Sequence, residues 1–90
     1  MKLAKYIMAG IVYILISKKD SRTYVGSTDN LERRIHEHRE GTVNSTRNRR
    51  PLKIIYTEKL DTLIEARDKE RCYKSCAGRK KLKVLLKNLI

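Results

Sequence analysis

The sequence predicts an α+β fold in which a three-stranded, largely antiparallel sheet is flanked by three helices, in the order ββαβαα. Two apolar stretches joined by a short polar turn predict a β-hairpin near the start of the chain. Three later stretches carry helical periodicity, and one more apolar run between them supplies the third strand. Ninety residues suffice for one domain, 1–90, with a modest core.

The first strand, at residues 10–17, is predicted to lie in the middle of the sheet, because apolar side chains occupy both its odd and its even positions. The apolar run that contains it, 7–16, is too short to span a bilayer. No small-residue cleavage site follows that run, so it does not read as a signal peptide, and we expect a cytoplasmic protein. A polar turn at 18–21 leads to the second strand, which begins at Thr23 and ends near Gly26.

The first helix is predicted to begin at Asp29, which can cap it, with Glu32 as the partner in a capping box. Gly41 is predicted to end this helix as a C-terminal cap. A polar, arginine-rich loop follows, and after Pro51 the apolar residues of 52–57 predict the third strand.

The two remaining helices are placed by a second capping box and by a glycine. Thr62 and Glu65 predict the start of the second helix, which should run to about Cys76. Gly78 is predicted to break the helical pattern. The last helix should then run from about Arg79 to the end of the chain, with leucines on one face and lysines elsewhere.

The chain is strongly basic: 22 lysines and arginines oppose 10 acidic residues, which gives a formal net charge of +12. Such a surplus on a small protein favours polyanionic partners, of which nucleic acid is the commonest and an anionic membrane surface is the rival. Because 40% of the residues are apolar, the chain should nevertheless fold.

Neither a disulfide nor a zinc site is expected. Cys72 and Cys76 lie four positions apart in a predicted helix, a spacing that suits a disulfide poorly and gives only half of a zinc site. His36 and His38 cannot supply the other half, because side chains two positions apart on a helix point about 200° away from each other. The two thiols are instead typical of structural or incidental cysteines in a reducing compartment.

Three charged or titratable residues fall on helix faces that are otherwise apolar. Arg34 and His38 share the apolar arc of the first helix, and Glu70 shares that of the second. Burying such groups is costly unless they have a function there. The structural alternative is that Arg34 and Glu70 form a partly buried ion pair and that His38 is a hydrogen-bonded core histidine.

Two tyrosines and a glycine in the hairpin also allow two interpretations. Tyr13 and Tyr24 can be aromatic residues that cover the surface of a pleated sheet. Alternatively, their hydroxyl groups point into a common pocket. Gly26 can simply end its strand, or it can let a phosphate approach the backbone closely.

The tripeptides Ile11-Val12-Tyr13 and Tyr24-Val25-Gly26, with ten residues between them, resemble the two signature strands of the GIY-YIG nuclease superfamily. The resemblance extends over about residues 10–83 and is greatest with the small single-domain bacterial members. It departs from the family at Ile11-Val12, where the first signature has Gly-Ile, but the tyrosine that follows is kept.

The helices carry the rest of the resemblance. Arg34 and His38 match the arginine and histidine that form the functional pair of the family's first helix, and Glu70 matches its metal-binding glutamate. The resemblance implies a metal-dependent endonuclease that hydrolyses phosphodiester bonds in nucleic acid and leaves 5′-phosphate and 3′-hydroxyl ends. It implies five catalytic residues: Tyr13, Tyr24, Arg34, His38 and Glu70.

The resemblance also implies a role for each of these residues. Glu70 would hold one divalent cation, Mg²⁺ or Mn²⁺, that polarises the scissile phosphate. Tyr13 would accept a proton from the attacking water, provided that nearby cations lower its pKa from about 10. Arg34 would stabilise the charge of the transition state, because its forked guanidinium suits phosphate oxygens. Tyr24 and His38 would orient water and phosphate.

Basic residues flank this site in the arginine-rich loop, in the third strand and in the last helix, with few acidic residues between them. They can form a solvated surface, or they can contact phosphates, which positions a substrate without reading its sequence. We expect phosphate contacts. With Gly26, Ser27 and Lys74 added, the predicted substrate-binding set is Gly26, Ser27, Arg47, Arg49, Arg50, Lys53, Lys74, Lys80 and Lys81.

The expected partner is nucleic acid, DNA rather than RNA, cut with low sequence specificity because the sequence shows no recognition helix or zinc finger. A protein partner could supply specificity. One rival interpretation is a non-catalytic nucleic-acid-binding module that keeps the fold. The other is a membrane-surface protein anchored by the last helix. It is disfavoured because the apolar face of that helix carries no aromatic residue, and we expect no membrane partner.

Overall fold

The structure, a computed structural model, describes residues 8–89; for 76–79, 81 and 88–89 it describes the backbone but not the side chains. It confirms the predicted α+β fold and the order ββαβαα over the described residues. The strands are β1 (Gly10–Ser17), β2 (Thr23–Thr28) and β3 (Leu52–Leu60), and the helices are α1 (Leu31–Glu40), α2 (Leu63–Lys74) and α3 (Cys76–Leu89). A 3₁₀ turn at Arg47–Arg49 interrupts the loop after α1.

The sheet has the order β2-β1-β3, and both strand pairs are antiparallel. β1 is therefore the central strand, as its apolar pattern predicts. β3 is three residues longer than predicted, because β1 still offers it partners there: Gly10 pairs with Leu60. The sequence pattern missed this end because Glu58 and Lys59 are charged. Lys59 is exposed at the sheet edge, whereas the half-buried Glu58 accepts hydrogen bonds from the hydroxyls of Tyr56 and Tyr73.

Side chains of β1 enter two separate parts of the core. Tyr13 and Leu15 pack with Ile35 of α1 on one face of the sheet. Val12 and Ile14 pack on the other face, in a cluster that includes buried residues of α2 and α3. The sheet thus lies between α1 on one side and α2 with α3 on the other, and the two predicted halves of the site begin on opposite faces.

α1 is capped by Asn30, not by Asp29 as predicted. The Asn30 side chain accepts a hydrogen bond from the backbone N–H of Arg33 at 3.0 Å, which satisfies one of the free donors of the first turn. The carboxylate of Asp29 instead pairs with the guanidinium of Arg33 at 3.0 Å. Gly41 ends the helix as predicted, with φ 81, a backbone conformation that favours glycine.

α2 begins as predicted, since Thr62 Oγ1 accepts a hydrogen bond from the backbone N–H of Glu65 at 3.2 Å. The predicted break at Gly78 is wrong. The chain turns at Ser75, which has an extended backbone conformation, and α3 then runs continuously through Gly78. A glycine inside a helix costs only about 1 kcal/mol relative to alanine, which packing readily outweighs. No helix in the described part of the chain is long and apolar enough to cross a membrane.

Candidate active site

Tyr13 lies at the centre of β1 and has no exposed surface. It pairs with Gly26 of β2, and its ring and hydroxyl cross the backbone of that glycine. A Cβ added at Gly26 would overlap the Tyr13 ring and hydroxyl. The glycine is therefore required by the close approach of a tyrosine side chain, in the space where the sequence suggested an approaching phosphate.

Two side chains of α1 converge on the Tyr13 hydroxyl, because residues four apart on a helix lie on one face. Arg34 Nε donates a hydrogen bond to Tyr13 Oη at 3.3 Å, and His38 Nε2 lies 2.9 Å from the same oxygen. The ring of Tyr24 packs edge-on against His38, with 5.2 Å between the ring centres, and lies 6.3 Å from the ring of Tyr13. Four of the five predicted catalytic residues thus form one cluster.

The electrostatics of this cluster differ from the sequence-based expectation. Burial raises the pKa of Tyr13 to about 12 and outweighs the opposing effect of the hydrogen bond from Arg34. Arg34 does lower this pKa, but by less than burial raises it, so the condition set for Tyr13 as a proton acceptor is not met in the free protein. Burial, assisted by the positive charge of Arg34, lowers the pKa of His38 to about 4, so His38 is neutral near pH 7. The pKa of Arg34 is raised by the hydrogen bond that Arg34 donates to Tyr13, so Arg34 stays charged.

Glu70 projects from α2, on the other face of the sheet. Ser27 Oγ donates a hydrogen bond to Glu70 Oε1, and Lys74 Nζ lies 2.7 Å from Glu70 Oε2. Lys74 also lies over the ring of Tyr24, 5.4 Å from its centre. Because Ser27 follows Gly26 on the edge strand β2, Glu70 meets the Tyr13 cluster across that edge.

The ion pair between Arg34 and Glu70, which was the structural alternative for these two residues, is not formed. The carboxylate that pairs with Arg34 is Glu37, one turn along α1, at 3.0 Å. The two residues lie on helices that pack on opposite faces of β1, which keeps their side chains apart.

The Glu70 carboxylate and the Ser27 hydroxyl beside it are oxygen ligands of the kind that hard divalent cations prefer. Among the described residues there is no cluster of three or more histidine, cysteine or acidic side chains that could hold a metal. Mg²⁺ needs no such cluster, since it commonly keeps several waters and is bound through one or two carboxylates plus substrate phosphate. The Glu70 carboxylate, with the Ser27 hydroxyl beside it, would supply the protein ligand. The ion pair between Lys74 and Glu70 would have to break before a cation could bind.

A cavity of about 390 Å³ opens beside this cluster. Three arginines line it, Arg33, Arg34 and Arg67, together with Ser27 and a single acid, Asp29. Tyr13 and Glu70 do not line the cavity themselves, but each is hydrogen-bonded to a residue that does: Tyr13 to Arg34, and Glu70 to Ser27. The cavity has the charge and the size to receive a phosphate group.

Sequence reasoning missed two of these arginines. The helical periodicity puts Arg33 on the side of the first helix opposite Arg34 and His38, and Arg67 lies on the exposed side of α2. One signal could have found Arg67, because it precedes Glu70 by three positions and therefore lies one helical turn away on a neighbouring part of the surface.

Sequence reasoning also missed Thr46, in the loop after α1. Its side chain is fully buried, and its Oγ1 lies 2.7 Å from His38 Nδ1. Threonine is common in polar loops, so nothing in the local sequence marks this one as a partner of the histidine.

The remaining predicted substrate-binding residues divide into three groups. Arg47 and Arg50 line a second hollow of about 660 Å³, with Lys19 and Arg39 also in its wall. Arg49 lies apart from that hollow, bound to Asp20 at 3.3 Å. Two lysines are exposed away from both cavities, Lys53 on β3 and Lys80 on α3, and the side chain of Lys81 lies outside the described residues.

Gly26→Ala is expected to destabilise the protein by about 1–3 kcal/mol, because the added methyl group forces the buried Tyr13 ring out of its place. The displaced hydroxyl would also lose its contacts with Arg34 and His38, so we expect any activity of the site to be lost. Thermal unfolding measures the first effect. Thr23→Ala, on the same strand, is the control and should change little; a Gly26→Ala variant as stable as wild type would contradict the close packing.

The chain is similar in sequence to a known family of catalytic domains and to several bacterial and archaeal proteins. A family model described as the GIY-YIG catalytic domain matches residues 9–83. The UPF0213 protein of Staphylococcus saprophyticus is 39% identical over 75 residues, which are 81% of this chain and 92% of that protein. The UPF0213 protein of Natronomonas pharaonis is 39% identical over 71 residues, covering 78% of this chain and 82% of that protein.

A solved structure is similar as well. The solution NMR structure of a UPF0213 protein from Bacillus halodurans matches with a TM-score of 0.56 and 32% sequence identity, covering 91% of this chain and 87% of that one. The similarity in sequence and the similarity in fold both extend over most of the chain.

Proposed function

Because this chain belongs to the family of GIY-YIG catalytic domains, we propose that it is an endonuclease that hydrolyses phosphodiester bonds in nucleic acid, DNA rather than RNA, with one divalent cation. The family fold is of the nuclease type. One observation carries the proposal: the Arg34 guanidinium contacts the Tyr13 hydroxyl on one side and lines the basic cavity on the other. A phosphate in that cavity would therefore lie next to the tyrosine.

Binding of the scissile phosphate begins the proposed reaction. Arg33, Arg34 and Arg67 would bind its non-bridging oxygens, since guanidinium groups donate paired hydrogen bonds to phosphate. The hydrogen bonds from Arg34 would then strengthen in the transition state, because an additional negative charge develops on those oxygens. Interactions that strengthen in the transition state are the ones that accelerate a reaction.

Tyr13 is the proposed proton acceptor. Its hydroxyl has no exposed surface and accepts a hydrogen bond from Arg34, so the attacking water can reach it only from the basic cavity, past the Arg34 guanidinium. In the phenolate form, Tyr13 takes a proton from the water while the water oxygen forms a bond to phosphorus. The bond between phosphorus and the 3′ oxygen breaks, and that oxygen takes a proton from solvent. The products carry a 5′-phosphate and a 3′-hydroxyl.

Glu70 would hold the cation, with the Ser27 hydroxyl beside it. A bound divalent cation supplies Lewis-acid polarisation of the phosphate and stabilises the leaving oxygen. Lys74 now occupies one oxygen of Glu70, at 2.7 Å. When it releases that oxygen, its ammonium group is free to contact a neighbouring phosphate of the substrate strand.

Two observations favour a second candidate function, a nucleic-acid-binding module without catalysis. Tyr13 is closed off from solvent, and Glu70 is already bound by Ser27 and Lys74. A cleavage assay on plasmid and single-stranded substrates, with and without Mg²⁺ or Mn²⁺, separates the two functions. Cutting by wild type but not by Arg34→Ala or Glu70→Gln supports the nuclease. Binding without cutting supports the module, and equal cutting by all three proteins would make the proposed site wrong.

The second hollow is the proposed track for the phosphate backbone. Its cations are fixed by groups that leave their charge uncompensated: Arg50 donates to the backbone carbonyls of Arg47 at 3.0 Å and Arg39 at 3.1 Å, and Lys19 donates to that of Asn48 at 3.2 Å. Fixed, uncompensated cations favour phosphate contacts that carry no sequence information. Any sequence specificity would then come from a protein partner.

Arg50→Gln is expected to weaken nucleic-acid binding and to reduce the salt dependence of that binding. Each phosphate contact contributes about 0.9 to the slope of log affinity against log salt concentration on duplex DNA. The slope for Arg50→Gln should fall by about that amount. Arg71→Gln is the matched control, since Arg71 is exposed and paired with Asp68 at 3.2 Å. Equal slopes for Arg50→Gln and wild type would remove Arg50 from the proposed track.

A further inference from the structure

Thr46 has no part in the proposed reaction, yet it ends a chain of polar groups that begins at the basic cavity. Arg34 Nε donates to Tyr13 Oη at 3.3 Å, Tyr13 Oη lies 2.9 Å from His38 Nε2, and His38 Nδ1 lies 2.7 Å from Thr46 Oγ1. Tyr13, His38 and Thr46 are all nearly or completely buried. None of the three side chains lies on the surface, so the hydrogens that they share with one another can be counted.

The count leaves one hydrogen too many. Arginine only donates, so Arg34 fills one acceptor position of Tyr13 and takes no hydrogen from the chain. Neutral Tyr13, neutral His38 and Thr46 carry one mobile hydrogen each, whereas only two bonds, Tyr13 to His38 and His38 to Thr46, can use them. Either the Thr46 hydrogen or the Tyr13 hydrogen must point out of the chain.

The two ends of the chain differ in what surrounds them. Within the described residues, the Thr46 hydroxyl has His38 Nδ1 as its side-chain partner and no exposed surface. A buried hydroxyl hydrogen without an acceptor is costly. Tyr13 lies next to Arg34, whose side chain is 33% exposed and lines the cavity. The arrangement of lower cost has Thr46 donating to Nδ1, so that the single proton of His38 lies on Nε2 and points at Tyr13.

We propose that Thr46 is a positioning residue that fixes the tautomer of His38 so that Tyr13 accepts two N–H hydrogen bonds, one from His38 and one from Arg34. In this arrangement the extra hydrogen is the one on Tyr13, directed toward the cavity. When Tyr13 loses it, two hydrogens remain for two bonds, and every group of the chain is satisfied. The phenolate then keeps a lone pair for the proton of the attacking water.

The hydrogen count also accounts for how a buried tyrosine can serve as a proton acceptor. Burial disfavours the phenolate, but two fixed N–H donors favour it, and the donor from His38 exists only in the tautomer that Thr46 supports. The catalytic meaning of Thr46 rests on the proposed function. The tautomer itself does not, since it follows from contacts in the free protein.

The test measures the tautomer and the pH profile in two variants. Thr46→Val removes the hydroxyl at nearly constant volume, and Thr46→Ser keeps it. Nitrogen-15 NMR of His38 in the free protein should show the proton on Nε2 in wild type and in Thr46→Ser, and a larger Nδ1–H population in Thr46→Val. The pH at which the cleavage rate reaches half its plateau should rise by about one unit in Thr46→Val, a tenfold loss of rate below that pH, and should be restored in Thr46→Ser.

A proton on Nδ1 in the wild-type protein would overturn the inference, whether or not either variant folds. So would a Thr46→Val variant that is only less stable, with the wild-type tautomer and the wild-type pH profile. The tautomer is read without substrate or metal. If His38 carries its proton on Nε2 but the protein cuts no substrate, the positioning role of Thr46 stands and the proposed nuclease function is disproved.

Discussion

Arg34→Ala is expected to lower the cleavage rate by about 10²- to 10³-fold, the usual cost of removing one fixed donor to a developing anionic charge. Arg34 is the residue that joins the cavity to the tyrosine, so the variant would lose both the transition-state contact and the hydrogen bond to Tyr13. Single-turnover cleavage at saturating protein measures the loss, because it separates the chemical step from weaker binding.

The fold should survive this change. The side chain of Arg34 is one-third exposed, and its partly exposed ion pair with Glu37 contributes little to stability. Arg71→Ala is the matched control: it removes an arginine of similar helical setting, paired with Asp68, from a surface outside the site. Arg34→Lys keeps the charge but not the planar fork, so we expect most of the loss to remain. Wild-type rates for Arg34→Ala in a folded protein would refute the role of this residue.

Glu70→Gln is expected to abolish metal-dependent cleavage, with a loss of about 10³-fold or more if the cation supplies several kcal/mol of transition-state stabilisation. Glutamine has nearly the same shape and can still accept the hydrogen bond from Ser27, so the local structure should be kept. It lacks the charge that a divalent cation needs. Binding of nucleic acid should be retained or should strengthen, because a negative charge has been removed from a site for phosphates.

The cleavage rate as a function of Mg²⁺ concentration, compared with binding of the same substrate, distinguishes this role from a structural one. Asp68→Asn is the matched control, an amide replacement on the exposed side of the same helix. A Glu70→Gln variant that cuts at the wild-type rate in saturating Mg²⁺ would show that the cation binds elsewhere or is not needed.

The sequence predicted the elements whose signals are local. The unbroken apolar run at 11–16 of β1 indicated burial on both faces, and helical periodicity placed Arg34 and His38 on one face of α1; both were correct. The cap of α1 was misassigned because Asp29 and Asn30 are adjacent and both are good caps. The backbone N–H of Asn30 is held by Thr28 Oγ1 at 3.1 Å, a contact that the order of residue types does not reveal.

Features that depend on distant contacts could not be predicted in the same way. The pKa of Tyr13 depends on a balance between burial and Arg34, and only the packed structure shows that burial dominates. The contact between His38 and Thr46 joins a helix to a loop whose path is set by the tertiary fold. The predicted break at Gly78 was wrong because tertiary packing overrides the low helix propensity of one glycine.

The alternation of side chains along β1 has a consequence for how this chain can change in length. Slippage of β1 by one residue against its neighbours would exchange Tyr13 with the aliphatic residues of the opposite face, and would disrupt the core and displace the Tyr13 hydroxyl in one step. An inserted residue between Gly10 and Ser17 is therefore incompatible with both folding and chemistry. The exposed turn at 18–21 does not share this constraint. Length variation in this hairpin should be confined to its tip, because the length of β1 fixes the relative positions of the residues on the two faces of the sheet.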